Sequence, residues 1–350
     1  MKKVRLASIG LGAWAKVLAR AAQRGDVIEL RNCFSRSEET RRSFQDEFGI
    51  PRSAATLDEL LADPEVEGVI VSTPNDSHRE VITAALDAGK AVFTEKPVTH
   101  TLEDAFAVKR AVEDSDVVFS VGHSARRLSG HRVMKEWVDT GRLGQVSLAE
   151  ANFSNPIGLQ LSPQAWRWYE DKSPGGSFIQ MGVHHADTLQ YLLGRVVRVS
   201  AHARRLYTEA EIPDAVMAIC EFESGGLGYI GCGWASPGVY QLRLQGTEAN
   251  LMYDVDQTRW SRSDEIDGAS TLVSQVPEQS GRTEIQLSPT DMFRAELEEF
   301  ALAIRGEASI EVGIDDAIRA LAVVQAAVAS SARNGAAIDI EPMLAGEPVP

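Results

Sequence analysis

The sequence is poor in cysteine, aromatic residues and positive charge. Its 350 residues include three cysteines and 7% aromatic residues, and 35 Lys and Arg oppose 50 Asp and Glu, for a formal net charge of -15. This acidity argues against nucleic acid or an anionic membrane as a partner, because both attract clustered Lys and Arg. No apolar run approaches the length of a transmembrane helix, and Gly10 and Gly12 interrupt the first run before a signal peptide is complete.

The three cysteines do not form a recognisable chemical motif. Cys33, Cys220 and Cys232 show neither a CxxC pair nor Cys/His ligand spacing. We therefore expect reduced structural thiols, no metal site and a cytoplasmic location. The hydrophobic content of 44% is ordinary for a globular protein, and the length allows two domains.

Short apolar runs alternate with helical patterns in the first third of the chain. This alternation is typical of βαβ units and a parallel sheet. We expect six strands here, among them the runs at residues 4–9, 27–34, 66–72, 91–94 and 117–121. The pattern predicts a doubly wound Rossmann domain over residues 1–123 that binds NAD(P).

From about residue 124 the pattern changes to closely spaced strands with few helices. Strands are expected at residues 146–153, 196–203, 215–222, 227–234 and 240–245, and helices at 177–193, 292–304 and 314–333. Ser224-Gly225-Gly226 predicts a hairpin turn. The polar stretch 254–289 is expected to be a long excursion on the surface.

These segments predict a second α/β domain over residues 124–350 with a large, mostly antiparallel open sheet. Its expected roles are substrate binding and oligomerisation. The helix at about 314–333 is a candidate to pack back on the first domain, and the active site is expected in the crevice between the two domains.

A glycine motif follows the first strand and opens the first helix. It has the pattern GxGxxA and comprises Gly10, Leu11, Gly12, Ala13, Trp14 and Ala15. In this context the glycines allow a tight turn and a close approach of pyrophosphate to the backbone, and a small residue in the last position allows close packing of helix on strand. The helix start would bind the phosphates. Trp14 either faces the ligand or packs at the surface.

The end of the second strand favours NADP, with NAD as the alternative. An acidic residue there usually binds the NAD ribose, whereas an arginine accommodates the extra phosphate of NADP. The sequence has Ser35 and Arg36 at this place, and Glu29 comes too early. Arg36 lying over the adenine face is a second interpretation, and it is compatible with either cofactor.

Glu95-Lys96-Pro97 follows a strand-like apolar run. Because proline cannot extend a sheet, the strand is expected to end here and to present Lys96 at the carboxyl edge, where ligands bind in parallel sheets. The alternative is a loop with no chemical role.

Four motifs in order resemble the Gfo/Idh/MocA family, named for glucose-fructose oxidoreductase and inositol 2-dehydrogenase. They are the glycine motif, residues 72–78, Glu95-Lys96-Pro97 and residues 175–187. The resemblance implies NAD(P)-dependent oxidation or reduction at a carbinol or carbonyl carbon of a sugar, cyclitol or related polyol. It also implies a homodimer or homotetramer formed through the open sheet of the second domain.

The resemblance also implies roles for individual residues. Glu95 would hold the nicotinamide ribose, and Lys96 would be the catalytic lysine and also contact the cofactor. His184 would act with Lys96. The residues implied to line the nicotinamide half are Thr73, Pro74, Asn75 and His78. The family pattern has Asp four residues before the histidine, where this chain has Gln180.

Gln180 cannot exchange a proton, so the acid–base chemistry is expected to fall on Lys96 and His184. We favour His184 as the proton acceptor, because imidazole titrates near neutrality, and Lys96 as the cation that orients the substrate oxygen. The reverse assignment stays open. Asp187 either orients His184 or caps backbone donors.

Several residues are candidates for substrate contact, Gln180 among them. His123 and Arg126 follow the first domain and either approach the substrate or form a hinge. Trp166 and Arg167 suit a sugar face and a hydroxyl or carboxylate, and the alternative is interdomain core.

Three other activities fit the same motifs. One is a dihydrodiol dehydrogenase or ketone reductase of the same family. A second is a glycosidase or oxidoreductase that uses a tightly bound cofactor transiently. The third is a regulator that binds the dinucleotide without catalysis, against which the presence of both Lys96 and His184 counts.

Overall fold

The computed structural model describes residues 2–277 and 279–349. The chain forms two compact units. The first comprises the segment up to Thr99, Glu103–Ser124 and Met292–Ala317, and the second comprises His100–Leu102, Ala125–Asp291 and the segment from Ile318 onward. The first unit thus includes a late segment of the chain, and most of the helix expected at 314–333 belongs to the second unit.

The described helices alternate with strands in the first unit and are sparser in the second. They are α1 Ala13–Arg24, α2 Glu38–Phe48, α3 Leu57–Leu61, α4 His78–Asp87, α5 Leu102–Glu113, α6 Ser129–Asp139, α7 Val183–Leu193, α8 Met292–Ile304, α9 Ile314–Ala332 and α10 Glu341–Leu344. None of these described helices is long and apolar enough to cross a membrane.

A parallel sheet forms the centre of the first unit. Its strands are β1 Val4–Ile9, β2 Ile28–Phe34, β3 Gly68–Val71, β4 Ala91–Glu95 and β5 Phe119–Gly122. They lie in the order β2-β1-β3-β4-β5, and every pair is parallel. In the described chain this sheet has five strands instead of the expected six.

The strand order locates a topological switch point between β1 and β3. The chain leaves β1 toward β2 on one side and then crosses to β3 on the other. Ligands bind outside the carboxyl ends of the strands at such a point. Every residue of β3 and β4 is buried, as expected for a parallel sheet covered on both faces.

A mixed sheet of nine strands dominates the second unit. Its strands are β6 Val146–Ser154, β7 Val196–Arg204, β8 Ala215–Phe222, β9 Leu227–Gly233, β10 Val239–Gly246, β11 Asn250–Val255, β12 Ser270–Gln275, β13 Thr283–Ile285 and β14 Ile338–Asp339. Their order is β13-β12-β11-β10-β6-β9-β8-β7-β14. The β6–β9 pair is parallel and the other pairs are antiparallel. The predicted fold class is confirmed.

The polar stretch 254–289 is more ordered than expected. It contributes strands β12 and β13 to the edge of the sheet and buries Trp260 and Asp267. Nothing in the sequence indicated these two edge strands within the surface excursion. Its polar composition reflects edge strands that expose many of their side chains, as the burial patterns of β12 and β13 show.

Candidate active site

The glycine loop is open at the start of helix α1. Gly10 has a φ of 83°, and a Cβ there would lie 2.8 Å from the backbone nitrogen of Thr73. Gly12 is the N-cap of α1, and a Cβ at Gly12 would meet no atom within 4 Å. No side chain caps this helix start and there is room beside Gly12, as a diphosphate site requires.

Two buried polar atoms beside this loop lack a partner. Ser72 Oγ donates to Gly10 O at 2.8 Å, which joins the ends of β3 and β1. Thr73 Oγ1 and Asn75 Nδ2 are buried and have no hydrogen-bond partner among the described residues. Buried polar atoms rarely stay unsatisfied. These positions fit a dinucleotide, which would supply the missing hydroxyl and amide partners.

His78 connects two loops at the carboxyl edge of the sheet. Its Nε2 lies 2.9 Å from Thr73 O, and its Nδ1 lies 3.1 Å from Pro97 O and 3.2 Å from Val98 O. Burial lowers the pKa of His78, and the backbone carbonyls partly oppose this shift. A neutral imidazole has one N–H, so His78 donates one hydrogen bond to these carbonyls and packs its other ring nitrogen against the second loop.

Glu95 ends strand β4 as a buried carboxyl group. Its Oε2 accepts from the backbone nitrogen of Lys96 at 3.2 Å. Burial raises the pKa of Glu95, while the Lys96 charge and the nearby Trp14 indole oppose the shift. A Cβ on Gly122 would lie 3.2 Å from Glu95 Oε1, so the neighbouring strand leaves little room beside the carboxyl group. Lys96 is half-buried and precedes a cis peptide bond to Pro97.

The backbone of the turn after β2 is held by an arginine side chain that was not among the predicted site residues. Ser35 is half-buried and Arg36 is exposed. Arg41 Nη1 on helix α2 donates to Ser35 O at 2.7 Å and to Arg36 O at 3.4 Å. The sequence does place an arginine five residues after Arg36, on the helix that follows the turn. Side chains on a helix point toward its N-terminus, so Arg41 can reach back to the turn.

In the second unit, a π-helical turn precedes helix α7. The turn spans Phe178–Gly182 and includes Gln180, where a regular helix was expected from residue 177. Such π-turns occur frequently at functional sites. Gln180 Nε2 donates to Ser173 Oγ at 3.2 Å, and Gln180 Oε1 accepts from Arg167 Nε at 3.3 Å.

His184 and His185 lie in different surroundings within the first turn of α7. The ring of His184 is 5.3 Å from the rings of Phe153 and Trp260, and 3% of the residue is exposed. His185 is fully buried against Tyr240, with ring centroids 4.7 Å apart. Burial lowers the pKa of His185 to about 3, so this histidine is neutral at physiological pH.

Arg126 forms a buried ion pair with Asp187. Arg126 Nε lies 2.8 Å from Asp187 Oδ2, and Arg126 Nη2 lies 2.5 Å from Asp187 Oδ1. Their side chains are 7% and 1% exposed. Sequence analysis proposed substrate contact for Arg126, but its guanidinium is bound here in a bidentate fork, which uses its most directional donors. His123 is likewise buried, at 1% exposure.

We expect the change Asp187→Asn to destabilise the second unit by about 3–5 kcal/mol, because it leaves the Arg126 charge buried without its counter-ion. The urea midpoint followed by tryptophan fluorescence measures this loss. The paired change Arg126→Met with Asp187→Leu removes both charges, and it should recover most of the lost stability. An unchanged midpoint in Asp187→Asn would contradict the inferred energetic role of the pair.

Two family models match the sequence over separate ranges. The first is described as the oxidoreductase family with an NAD-binding Rossmann fold and matches residues 4–123. The second is described as the GFO/IDH/MocA C-terminal domain and matches residues 131–252.

Three similar proteins are informative. A 1,5-anhydro-D-fructose reductase from Ensifer adhaerens is 30% identical over 95% of this chain and 97% of its own length. A scyllo-inositol 2-dehydrogenase (NAD(+)) from Bacillus subtilis is 27% identical over 97% of each chain. A crystal structure from Desulfitobacterium hafniense, whose description suggests an NADPH-dependent oxidoreductase, is 39% identical with a TM-score of 0.93 and covers 97% of this chain and 98% of its own.

Proposed function

Because this chain belongs to the Gfo/Idh/MocA family of NAD(P)-dependent oxidoreductases, we propose that it oxidises or reduces a carbinol or carbonyl carbon of a sugar, cyclitol or related polyol. The names of its relatives, an anhydrofructose reductase and an inositol dehydrogenase, support this substrate class. The observation on which the proposal rests is the set of unpartnered buried polar atoms beside the open glycine loop at the switch point.

The cofactor would be held by the first unit. The start of α1 at Gly12 would bind its diphosphate, and Glu95 would hold the nicotinamide ribose. Thr73 and Asn75 would satisfy their unpartnered atoms on its nicotinamide half. When bound, the nicotinamide supplies the hydride acceptor or donor for the reaction.

Lys96 and His184 have different catalytic roles in this proposal. As a secondary alcohol is oxidised, its hydroxyl proton needs a base within hydrogen-bond reach. His184 takes this proton and returns it in the reverse direction. Lys96 orients the substrate oxygen and stabilises the negative charge that develops on it. Gln180 contributes hydrogen bonds alone, since an amide does not exchange protons in this range.

The assay is the absorbance of reduced nicotinamide across a panel of sugars, cyclitols and diols with NADP and NAD. Net turnover of free cofactor with a polyol supports the proposal. A nucleotide that stays bound through purification, with no net turnover of added cofactor, would favour the transient-cofactor alternative. Reversible nucleotide binding without any turnover would favour the regulator.

We expect Arg36→Ala to weaken NADP binding by roughly tenfold and to leave NAD binding unchanged, because it removes a charged donor to the extra phosphate. Isothermal titration with each nucleotide measures both affinities. Arg42→Ala, which removes an exposed arginine from helix α2, is the matched control. Equal affinities of the parent chain for NAD and NADP would contradict the preference for NADP.

We also propose a homo-oligomer formed through the open face of the nine-stranded sheet. Met217, Ile219 and Leu227 project from one face of the β8–β9 pair and are 60%, 54% and 47% exposed. Large exposed apolar side chains that share one face of a sheet favour an association surface. We expect light scattering to give a dimer or tetramer for the parent chain and a smaller species for Ile219→Lys. A monomeric parent chain would refute this proposal.

A further inference from the structure

Arg167 is a half-buried cation held by neutral groups. Its guanidinium carbon lies 4.3 Å from the ring centroid of Trp166, and its Nε donates to Gln180 Oε1. Among the residues that the structure describes, no carboxylate lies within salt-bridge distance of Arg167. Burial lowers the pKa of Arg167 to about 10, and no neighbouring charge opposes the shift.

Arg126, in the same unit, is a buried arginine with a counter-ion and provides a comparison for Arg167. There the guanidinium is neutralised by Asp187 in a bidentate pair. Withdrawing a charge from water is costly unless a counter-charge or several hydrogen bonds offset it. The charge of Arg167 has no such counter-charge in the described part of the chain, so its desolvation cost is not offset. An anion that binds to the guanidinium would offset it.

The neutral partner of Arg167 is itself fixed. Gln180 is 5% exposed, and its Nε2 donates to Ser173 Oγ, so its Oε1 remains directed at Arg167. A carboxylate at position 180 would neutralise the guanidinium, whereas the amide leaves it charged. The π-helical turn that holds Gln180 belongs to the segment leading to His184.

Building on the proposed function, we infer that the substrate carries an oxyanion, a carboxylate or a phosphate ester on a polyol, and that Arg167 binds it. A guanidinium offers a planar fork of donors that matches either group, and several of its N–H groups remain available beyond the bond to Gln180. The Trp166 ring packs against the guanidinium in a cation–π contact. Arg167 is thus a specificity-determining residue that selects acidic over neutral polyols.

The test compares matched ligands by isothermal titration in the presence of NADP. The pairs are D-gluconate against D-glucitol, which tests the carboxylate, and D-glucose 6-phosphate against D-glucose, which tests the phosphate ester. For at least one pair, we expect the anion to bind roughly 10- to 100-fold more tightly, as a charge-assisted hydrogen bond allows. Preference for the neutral member of both pairs, or no binding of either anion, would overturn the inference.

Two variants locate the effect at Arg167. Arg167→Gln should abolish the preference for the anion and leave the affinity for the neutral member within about twofold. Gln180→Glu keeps the side-chain length, places a carboxylate beside Arg167 and should abolish the same preference. Arg262→Gln makes the same change at an exposed arginine in the second unit and should leave it intact. An anion preference that persists in Arg167→Gln would refute the assignment.

The same titrations separate this inference from the proposed function. NADP affinity reports on the first unit and should be unchanged in both variants. Turnover of neutral polyols alone would refute the inference and leave the proposed function standing. Arg167-dependent binding of an anion, with no turnover of any compound, would refute the proposed function and leave the anion site standing.

Discussion

Lys96→Ala is expected to lower kcat by about 10²- to 10⁴-fold, the range that a positioned acid–base or charge-stabilising group contributes. Lys96 follows the buried carboxyl group of Glu95 at the end of β4, so its loss should leave the nucleotide site intact. We therefore expect NADP binding to stay measurable by titration. Activity close to that of the parent chain would refute the role of Lys96.

Two further variants sharpen this experiment. Lys109→Ala removes an ammonium group from helix α5 that pairs with Asp315, and it should leave kcat unchanged. A chain with both Lys96→Ala and His184→Ala should be little slower than the slower single variant, because groups that act together in one step are not additive. Fully multiplicative losses would show that the two residues act independently.

Acid is expected to destabilise the second unit below about pH 6.5. Burial lowers the pKa of His131 to about 4 and that of His185 to about 3, from an ordinary value of 6.5. As the pH falls below 6.5, the unfolded chain takes up protons that the folded chain does not. Each histidine therefore contributes a loss of about 1.4 kcal/mol per pH unit until its own folded pKa is reached.

Urea midpoints between pH 7.5 and 5 test this prediction, and the two histidines should lower the free energy of unfolding by roughly 4 kcal/mol between pH 6.5 and 5. His185→Phe keeps an aromatic ring beside Tyr240 and removes one titrating group, so its pH dependence should be about half as steep. An identical slope in the parent chain and in His185→Phe would contradict the assignment.

The sequence predicted those elements whose pattern is local. Helix α8 lies at the expected residues 292–304, and strand β8 at 215–222, because apolar periodicity and turn residues decide such segments. The edge strands β12 and β13 were missed because most of their side chains are polar or exposed. The sixth strand expected in the first sheet has no counterpart in the described chain.

Side-chain contacts between residues that are distant in the sequence could not be predicted at the site. The glycine loop and Glu95 follow strands, so their places at the carboxyl edge of the sheet were predictable. The pairing of Arg126 with Asp187 joins residues 61 positions apart, and no local pattern encodes it. The absence of a described carboxylate beside Arg167 could not be predicted from the sequence either, because it depends on which side chains the fold brings together.

The imidazole of His78 connects two loops at the carboxyl edge of the parallel sheet. One ring contacts the carbonyls of Thr73, Pro97 and Val98, so the loops after β3 and β4 are mechanically linked. Any change in the loop after β3 would therefore reach the peptide that follows Lys96 through this single side chain.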